Sequence, residues 1–191
     1  GRGRVPPPGW RALWWAPVVV VAPGLSWFCT PEFGWAAGLR STICVPLIFG
    51  ATSCLYDGPA THPDAGIWWQ LCAEYGVRTM FSSPTAVRML KKQDPAWLTK
   101  YPLPQLRWLF LAGEPLDEPT ARWISDGLGK PVIDNYWQTE TGWPGMCRRP
   151  GLDPKPVTRG WVGRAHFGLG ARARRCVTAC EGRLPKQAMN D

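Results

Sequence analysis

Residues 107–117 read Arg107-Trp108-Leu109-Phe110-Leu111-Ala112-Gly113-Glu114-Pro115-Leu116-Asp117. An unbroken apolar run of this length, cut off by a Gly/Pro turn, has the form of a strand covered on both faces, as in a parallel sheet. Asp117 then stands where a helix needs an N-cap. Ala121, Ile124 and Leu128 share one helical face, and Gly129 supplies the stop. Strand, turn, capped helix and glycine terminator form one unit of a βα repeat.

The same grammar extends in both directions. Downstream, Pro131–Asp134 begins a further short strand. Upstream, Val77–Ser82 reads as a strand, and Ser83-Pro84 supplies an N-cap and first-turn proline for a helix through about Gln93. Asp64–Tyr75 reads as a helix with Ile67, Trp68, Leu71 and Cys72 on its apolar face and Gly76 as its end. Ile43–Tyr56 is apolar and β-rich, is interrupted by Gly50, and stops at the turn Asp57-Gly58-Pro59; it is expected to be a strand. The order β-α-β-α-β-α-β with short connections predicts an α/β fold, a mainly parallel sheet flanked by helices.

Composition divides the 191 residues into three parts: an atypical N-terminal segment 1–28, a patterned region 29–157, and an atypical basic segment 158–191. Neither flank has a sustained apolar period, and little regular structure is expected there. Their excess of Arg, Gly, Pro, Trp and Cys is also the composition of GC-rich DNA translated in a wrong frame. The formal charge of +8 is carried by the ends, with Arg2, Arg4 and Arg11 at one and eight Arg after Gly145 at the other. Between them acids outnumber bases, which argues against a nucleic-acid surface on the folded part.

The seven cysteines form no Cys-x-x-Cys pair, and their odd, scattered distribution fits reduced thiols and a cytoplasmic location. Cys176, Cys180 and His166 fall short of a zinc set. The run Val18–Val21 faintly imitates a leader, but Pro17 and Pro23 interrupt it and it is too short to span a bilayer, so no membrane partner is expected.

Open α/β sheets bind ligands at the carboxyl ends of their strands. Ser82-Ser83-Pro84-Thr85, Gly113-Glu114-Pro115 and Asn135–Gly142 fall there. The last joins two hydroxyls (Thr139, Thr141), a carboxylate (Glu140) and a permissive Gly142 to the flat rings of Tyr136 and Trp137. Such a loop can hold phosphate oxygens and a Mg²⁺ ion on them, or it is simply a polar turn with Glu140 in solvent. The residues alone leave both open.

Four motifs tilt that balance. Asp134-Asn135-Tyr136-Trp137-Gln138-Thr139-Glu140-Thr141-Gly142 resembles the signature loop of the AMP-forming acyl-CoA synthetases of the adenylate-forming superfamily. Ala112-Gly113-Glu114-Pro115-Leu116 is similar to their adenine-contacting strand end, Pro84-Thr85-Ala86-Val87-Arg88 to a helix start, and Gly34-Trp35-Ala36-Ala37-Gly38 to a Gly-Trp-x-x-Gly turn. Their variants look most like propionate–CoA ligase and acetyl-CoA synthetase. The resemblance implies a fragment of the N-terminal domain and a two-step reaction: a short carboxylate and ATP give acyl-AMP, and CoA then displaces AMP. It also implies roles. Gly113, Glu114 and Pro115 would line adenine; Asp134, Asn135, Tyr136, Trp137, Gln138 and Thr139 would wrap the nucleotide; Glu140 would hold Mg²⁺. Ala36, Ala37, Ala112 and Trp137 would form the acyl pocket, although the alanines read equally as packing positions and Trp35 reads as core.

The departures are specific. Residues 1–28 contain no Gly/Ser/Thr-rich phosphate loop, Leu39 stands where the family usually has His, and no hinge or catalytic-lysine domain follows. The expectation is therefore a fragment that is inactive alone, with ATP, Mg²⁺, CoA and a short carboxylate as the family's small molecules. A non-catalytic interaction protein with Trp/Arg-rich tails and a basic nucleic-acid binder are the alternatives.

Overall fold

A computed structural model describes residues 23–142, 144–149 and 162–165. Among these residues seven strands form one sheet in the order β2-β1-β3-β4-β5-β6-β7. They are β1 (Ser26–Cys29), β2 (Thr52–Cys54), β3 (Thr79–Ser82), β4 (Trp108–Ala112), β5 (Val132–Trp137), β6 (Pro144–Cys147) and β7 (Arg164–Ala165). The first five run parallel, and β6 pairs antiparallel with both β5 and β7. The predicted α/β class and mainly parallel sheet hold.

The parallel strands read as continuous apolar runs because both faces are covered. One face packs Phe28, Met80, Leu109, Leu111 and Val132 against helices α3 (Ile67–Glu74), α4 (Pro84–Lys91) and α6 (Glu118–Leu128). The other packs Trp27, Phe81, Phe110, Ala112 and Ile133 against Ala37 and Val45. Full burial of each such side chain contributes roughly 1.5–3 kcal/mol, so these alternating contacts dominate the fold's stability.

Helix ends follow the sequence signals. Ser83 accepts from the Ala86 N–H at 3.3 Å with Pro84 as first residue of α4, and Asp117 accepts from the Thr120 N–H at 3.0 Å at the start of α6. Gly129 ends α6 in the left-handed conformation at φ 61°. A short helix α5 (Ala96–Thr99), absent from the sequence-based order, links α4 to β4.

Two expectations need correction. The first part of the strand expected over Ile43–Tyr56 is helical: α1 (Ala36–Leu39), a π turn (Arg40–Cys44) and α2 (Val45–Ile48) run on from one another, and only Thr52–Cys54 pairs as β2. The pattern misled because its polarity is inverted. Ala37, Ser41 and Val45 face the sheet while Leu39, Ile43 and Leu47 face outward, so small and hydroxyl side chains are inside and large apolar ones outside. Second, the boundary at residues 28/29 cuts through β1, an interior strand whose Trp27 and Phe28 are among the most deeply buried residues. In the basic segment, where little regular structure is expected, the two residues Arg164–Ala165 pair with β6; Cys176, Cys180 and His166 lie outside the described residues.

Candidate functional site

In the order 2-1-3-4-5 the chain leaves β1 in opposite directions across the sheet, which opens a crevice at the carboxyl ends of β1 and β3. Thr30 follows β1 and Ser82 ends β3; their hydroxyls meet at 2.7 Å, and the Thr30 N–H donates to the Phe81 carbonyl at 3.0 Å. Gly113 follows β4 and Gln138 follows β5, so all three segments singled out in the sequence lie along this one edge. Thr30 was missed because β1 itself was missed.

The turn after β4 is held by the helix start beside it. Gly113 has φ +103°, and a Cβ built there would sit 2.6 Å from Cη2 of Trp35, so only glycine lets the indole lie across it. Trp35 is 39% exposed, which corrects its reading as core. The Glu114 carboxylate accepts from the Thr85 N–H at 2.8 Å and from Nη1 of Arg88 at 2.9 Å. Arg88 also donates through Nε to Asp117 at 2.8 Å and through Nη2 to the Pro115 carbonyl at 2.7 Å. Hydrogen bonding from Thr85, reinforced by Arg88, holds the Glu114 carboxyl below its ordinary range; that from Thr120, then Arg88, brings Asp117 down to about 2. Both are ionised and committed to protein partners. The turn therefore offers a ligand its backbone rather than the Glu114 carboxylate. The Pro-Thr-Ala-x-Arg motif was visible in the sequence, but its function as a clamp was not.

Asp134–Trp137 belongs to β5 rather than to the loop expected from Asn135 onward, and strand alternation splits its side chains between the two faces. Asp134 lies on the face of α6. Its carboxyl accepts from the Asn135 and Leu116 N–H groups, yet burial wins and raises it to about 6. Tyr136 follows on that side and is exposed. On the other face, Asn135 donates to the Leu111 carbonyl at 2.9 Å, while its Oδ1 is buried with no partner among the described residues. Trp137 meets Phe81 edge-on at 6.2 Å and packs on the cluster containing Ala37 and Ala112. Three of the four expected acyl-pocket residues thus share one apolar cluster; Ala36, half-buried at the start of α1, lies outside it.

Gln138–Gly142 forms a closed turn. Thr141 Oγ1 donates to the Gln138 carbonyl at 2.8 Å and accepts from its N–H at 3.1 Å, leaving Thr139 and Glu140 exposed. Among the described residues no three His, Cys, Asp or Glu side chains gather to hold a metal. Mg²⁺ is often held by one or two carboxylates plus substrate phosphates, so a single exposed Glu140 fits an ion that arrives with a nucleotide. No helix among the described residues is long and apolar enough to cross a membrane.

Comparison with known proteins agrees with this geometry. A propionate–CoA ligase of Escherichia coli (strain K12) is 46% identical over 155 residues, which is 81% of this chain and 25% of that protein. An acetyl-coenzyme A synthetase of Methanothrix thermoacetophila is 40% identical over 133 residues, 68% of this chain and 20% of that protein. An acyl-CoA synthetase of Brucella canis of known structure superposes with a TM-score of 0.71 at 31% identity, covering 82% of this chain and 29% of that one. An anthranilate CoA ligase, with a TM-score of 0.71 at 19% identity, shares the fold. The chain spans about a quarter of the length of the first curated relatives it matches. The AMP-binding enzyme model matches residues 10–174, reaching into both segments that composition had set apart. With the sheet, the strand-end crevice and this match in agreement, the chain belongs to the family of AMP-binding enzymes.

Proposed function

We propose that this chain supplies the adenine- and acyl-binding part of an AMP-forming short-chain acyl-CoA synthetase of the propionate type. In the reaction a carboxylate oxygen attacks the α-phosphorus of ATP and pyrophosphate leaves; the CoA thiolate then attacks the acyl carbon and AMP leaves. The observation that carries this reading is the alignment of Ser82–Thr85, Gly113–Pro115 and Gln138–Gly142 along one sheet edge. The apolar cluster of Ala37, Ala112 and Trp137 supports it from the adjoining face.

In this reading the backbone of Gly113-Glu114-Pro115 lines adenine, and Asp134–Gln138 frames the nucleotide. Asn135 and Trp137 face the acyl side, while Asp134 acts by holding Leu116 in place. Thr139 binds phosphate. Glu140 holds Mg²⁺, which supplies charge neutralisation on the phosphates when bound. Trp137 closes the acyl pocket and limits chain length. The 191-residue polypeptide alone binds nucleotide weakly and turns over poorly, because the sequence holds no Gly/Ser/Thr-rich loop to clamp pyrophosphate and no hinge with its catalytic lysine.

Propionate-dependent exchange of pyrophosphate into ATP, with and without Mg²⁺, tests the reading. The expected result is weak exchange and measurable AMP binding, both lowered by Glu140→Ala for the metal-dependent part. Nucleotide binding that ignores changes at Gly113 and Glu140 alike would sink it.

A further inference from the structure

Arg40 opens the π turn in a stretch to which the family resemblance gives no role. The residue is half-buried, and its guanidinium lies against the turn that follows β5. A Cβ built on Gly142 would sit 2.3 Å from Arg40 Nη1 and 3.3 Å from its Cζ. Gly142 also has φ +71°, so this position lacks a side chain for two reasons, the backbone conformation and the approach of the guanidinium. Arg88–Glu114, Arg88–Asp117 and Arg122–Glu118 are ion pairs; the Arg40 side chain, whose residue bonds through its backbone within the helix, has no ion-pair or hydrogen-bond partner among the described residues. A partly buried cation with no counter-charge is unfavourable until an anion arrives. The turn it touches contains one acid, Glu140, and no base, so by itself it repels a phosphate. Arg40, at Gly142, reverses that sign on a turn that also carries the exposed Thr139.

We propose that Arg40 and Thr139 form an anion subsite that takes the pyrophosphate end of a nucleotide. The chemistry matches: a planar guanidinium donates two parallel hydrogen bonds to phosphate oxygens, which a lone hydroxyl cannot do. Arg40 also opens a π turn, a feature frequent at functional positions. This inference rests on the nucleotide reading above for its ligand, but on Arg40 and Gly142 for its location.

Calorimetric titration of the 191-residue chain with magnesium pyrophosphate, and separately with adenosine, tests it. R40Q is expected to weaken pyrophosphate binding about tenfold or more, as for loss of a hydrogen bond to a charged group, and to flatten its salt dependence. Adenosine affinity stays at the wild-type value. G142A, whose methyl displaces the guanidinium, weakens pyrophosphate in the same direction and carries the test alone should R40Q lose its fold. Unchanged pyrophosphate affinity in a folded R40Q chain overturns the proposal, as does a wild-type chain that fails to bind pyrophosphate. Absence of adenosine binding alone would instead count against the adenine assignment at Gly113–Pro115.

Discussion

Nη1 of Arg88 lies 2.9 Å from Oε2 of Glu114, and the same guanidinium reaches Asp117 and the Pro115 carbonyl, so one side chain on α4 fixes the turn at the end of β4. The two side chains of the Arg88–Glu114 pair are 35% and 34% exposed. Screening at that exposure limits the pair itself to about 1 kcal/mol or less of stability. The larger consequence is geometric. Arg88→Ala is expected to lower the urea midpoint slightly and AMP affinity more strongly. Arg88→Lys should fail to restore affinity, because one ammonium cannot span three acceptors as a planar fork does. AMP affinity that falls only in step with stability would show that the clamp is merely structural.

Two carboxyls on neighbouring segments titrate in opposite senses, and the sign of each follows from linkage. Asp117 is lowered to about 2, so its contribution is complete above the ordinary Asp range near pH 4 and disappears as pH falls toward 2. Asp134 is raised to about 6 by burial, so the folded state binds the extra proton and stability falls as pH rises from about 4 to 6. The difference in unfolding free energy between wild type and Asp134→Asn should therefore change between pH 4 and 6 and be flat above 6.5. The Asp117→Asn difference should change only below pH 4. A pH-independent difference for Asp134→Asn would show that its carboxyl titrates normally.

The alternation that places β3, α4, β4, α6 and β5 was legible because each signal is local. Ser83-Pro84, Asp117 and Gly129 act on their own backbone, and Leu109 and Leu111 are apolar on a strand with two covered faces. The helical stretch 36–48 was not legible, since Ser41 and Thr42 are buried while Leu47 and Ile48 are exposed. A pattern that expects apolar residues inside reads that segment backwards. β1 was lost for another reason: Trp27 and Phe28 sit beside a Pro-rich stretch whose composition dominated the reading. The site was legible as motifs on strand ends, but the Arg88 clamp and the approach of Arg40 to Gly142 join residues far apart in sequence, which spacing does not reveal.

Gly113 is the position where one added methyl has the clearest consequence. At φ +103° an alanine is strained by about 1–3 kcal/mol. Its Cβ would also displace the Trp35 indole that now lies 2.6 Å from that point. Gly113→Ala should lower the urea midpoint and abolish measurable adenosine binding. A variant with wild-type midpoint and affinity would mean that the turn is free to reshape.

Trp137 is the residue through which the acyl reading is most directly tested. Its ring stands edge-on to Phe81 at 6.2 Å and closes a cluster in which Ala112 is fully buried. Replacing the indole by a methyl opens space beside Ala112 without touching the Arg88 clamp or the Gln138–Gly142 hydrogen bonds. A methylene accommodated or refused by a pocket changes affinity by about 1–3 kcal/mol. Trp137→Ala should therefore raise the affinity ratio of hexanoyl-AMP to propionyl-AMP by about tenfold or more. Ala112→Val acts in the opposite direction: added volume in a packed cluster costs about 1–3 kcal/mol and intrudes on the same space, so propionyl-AMP binding itself should weaken. Titration of both variants with the two acyl-adenylates, alongside AMP as a control for the nucleotide half, separates the effects. AMP affinity should hold in Ala112→Val; in Trp137→Ala any loss on the nucleotide side is common to both acyl-adenylates and cancels in their ratio, while the acyl preference moves. If the hexanoyl to propionyl ratio is the same in wild type and Trp137→Ala, the indole does not bound the acyl chain, and the cluster of Ala37, Ala112 and Trp137 is a packing core alone.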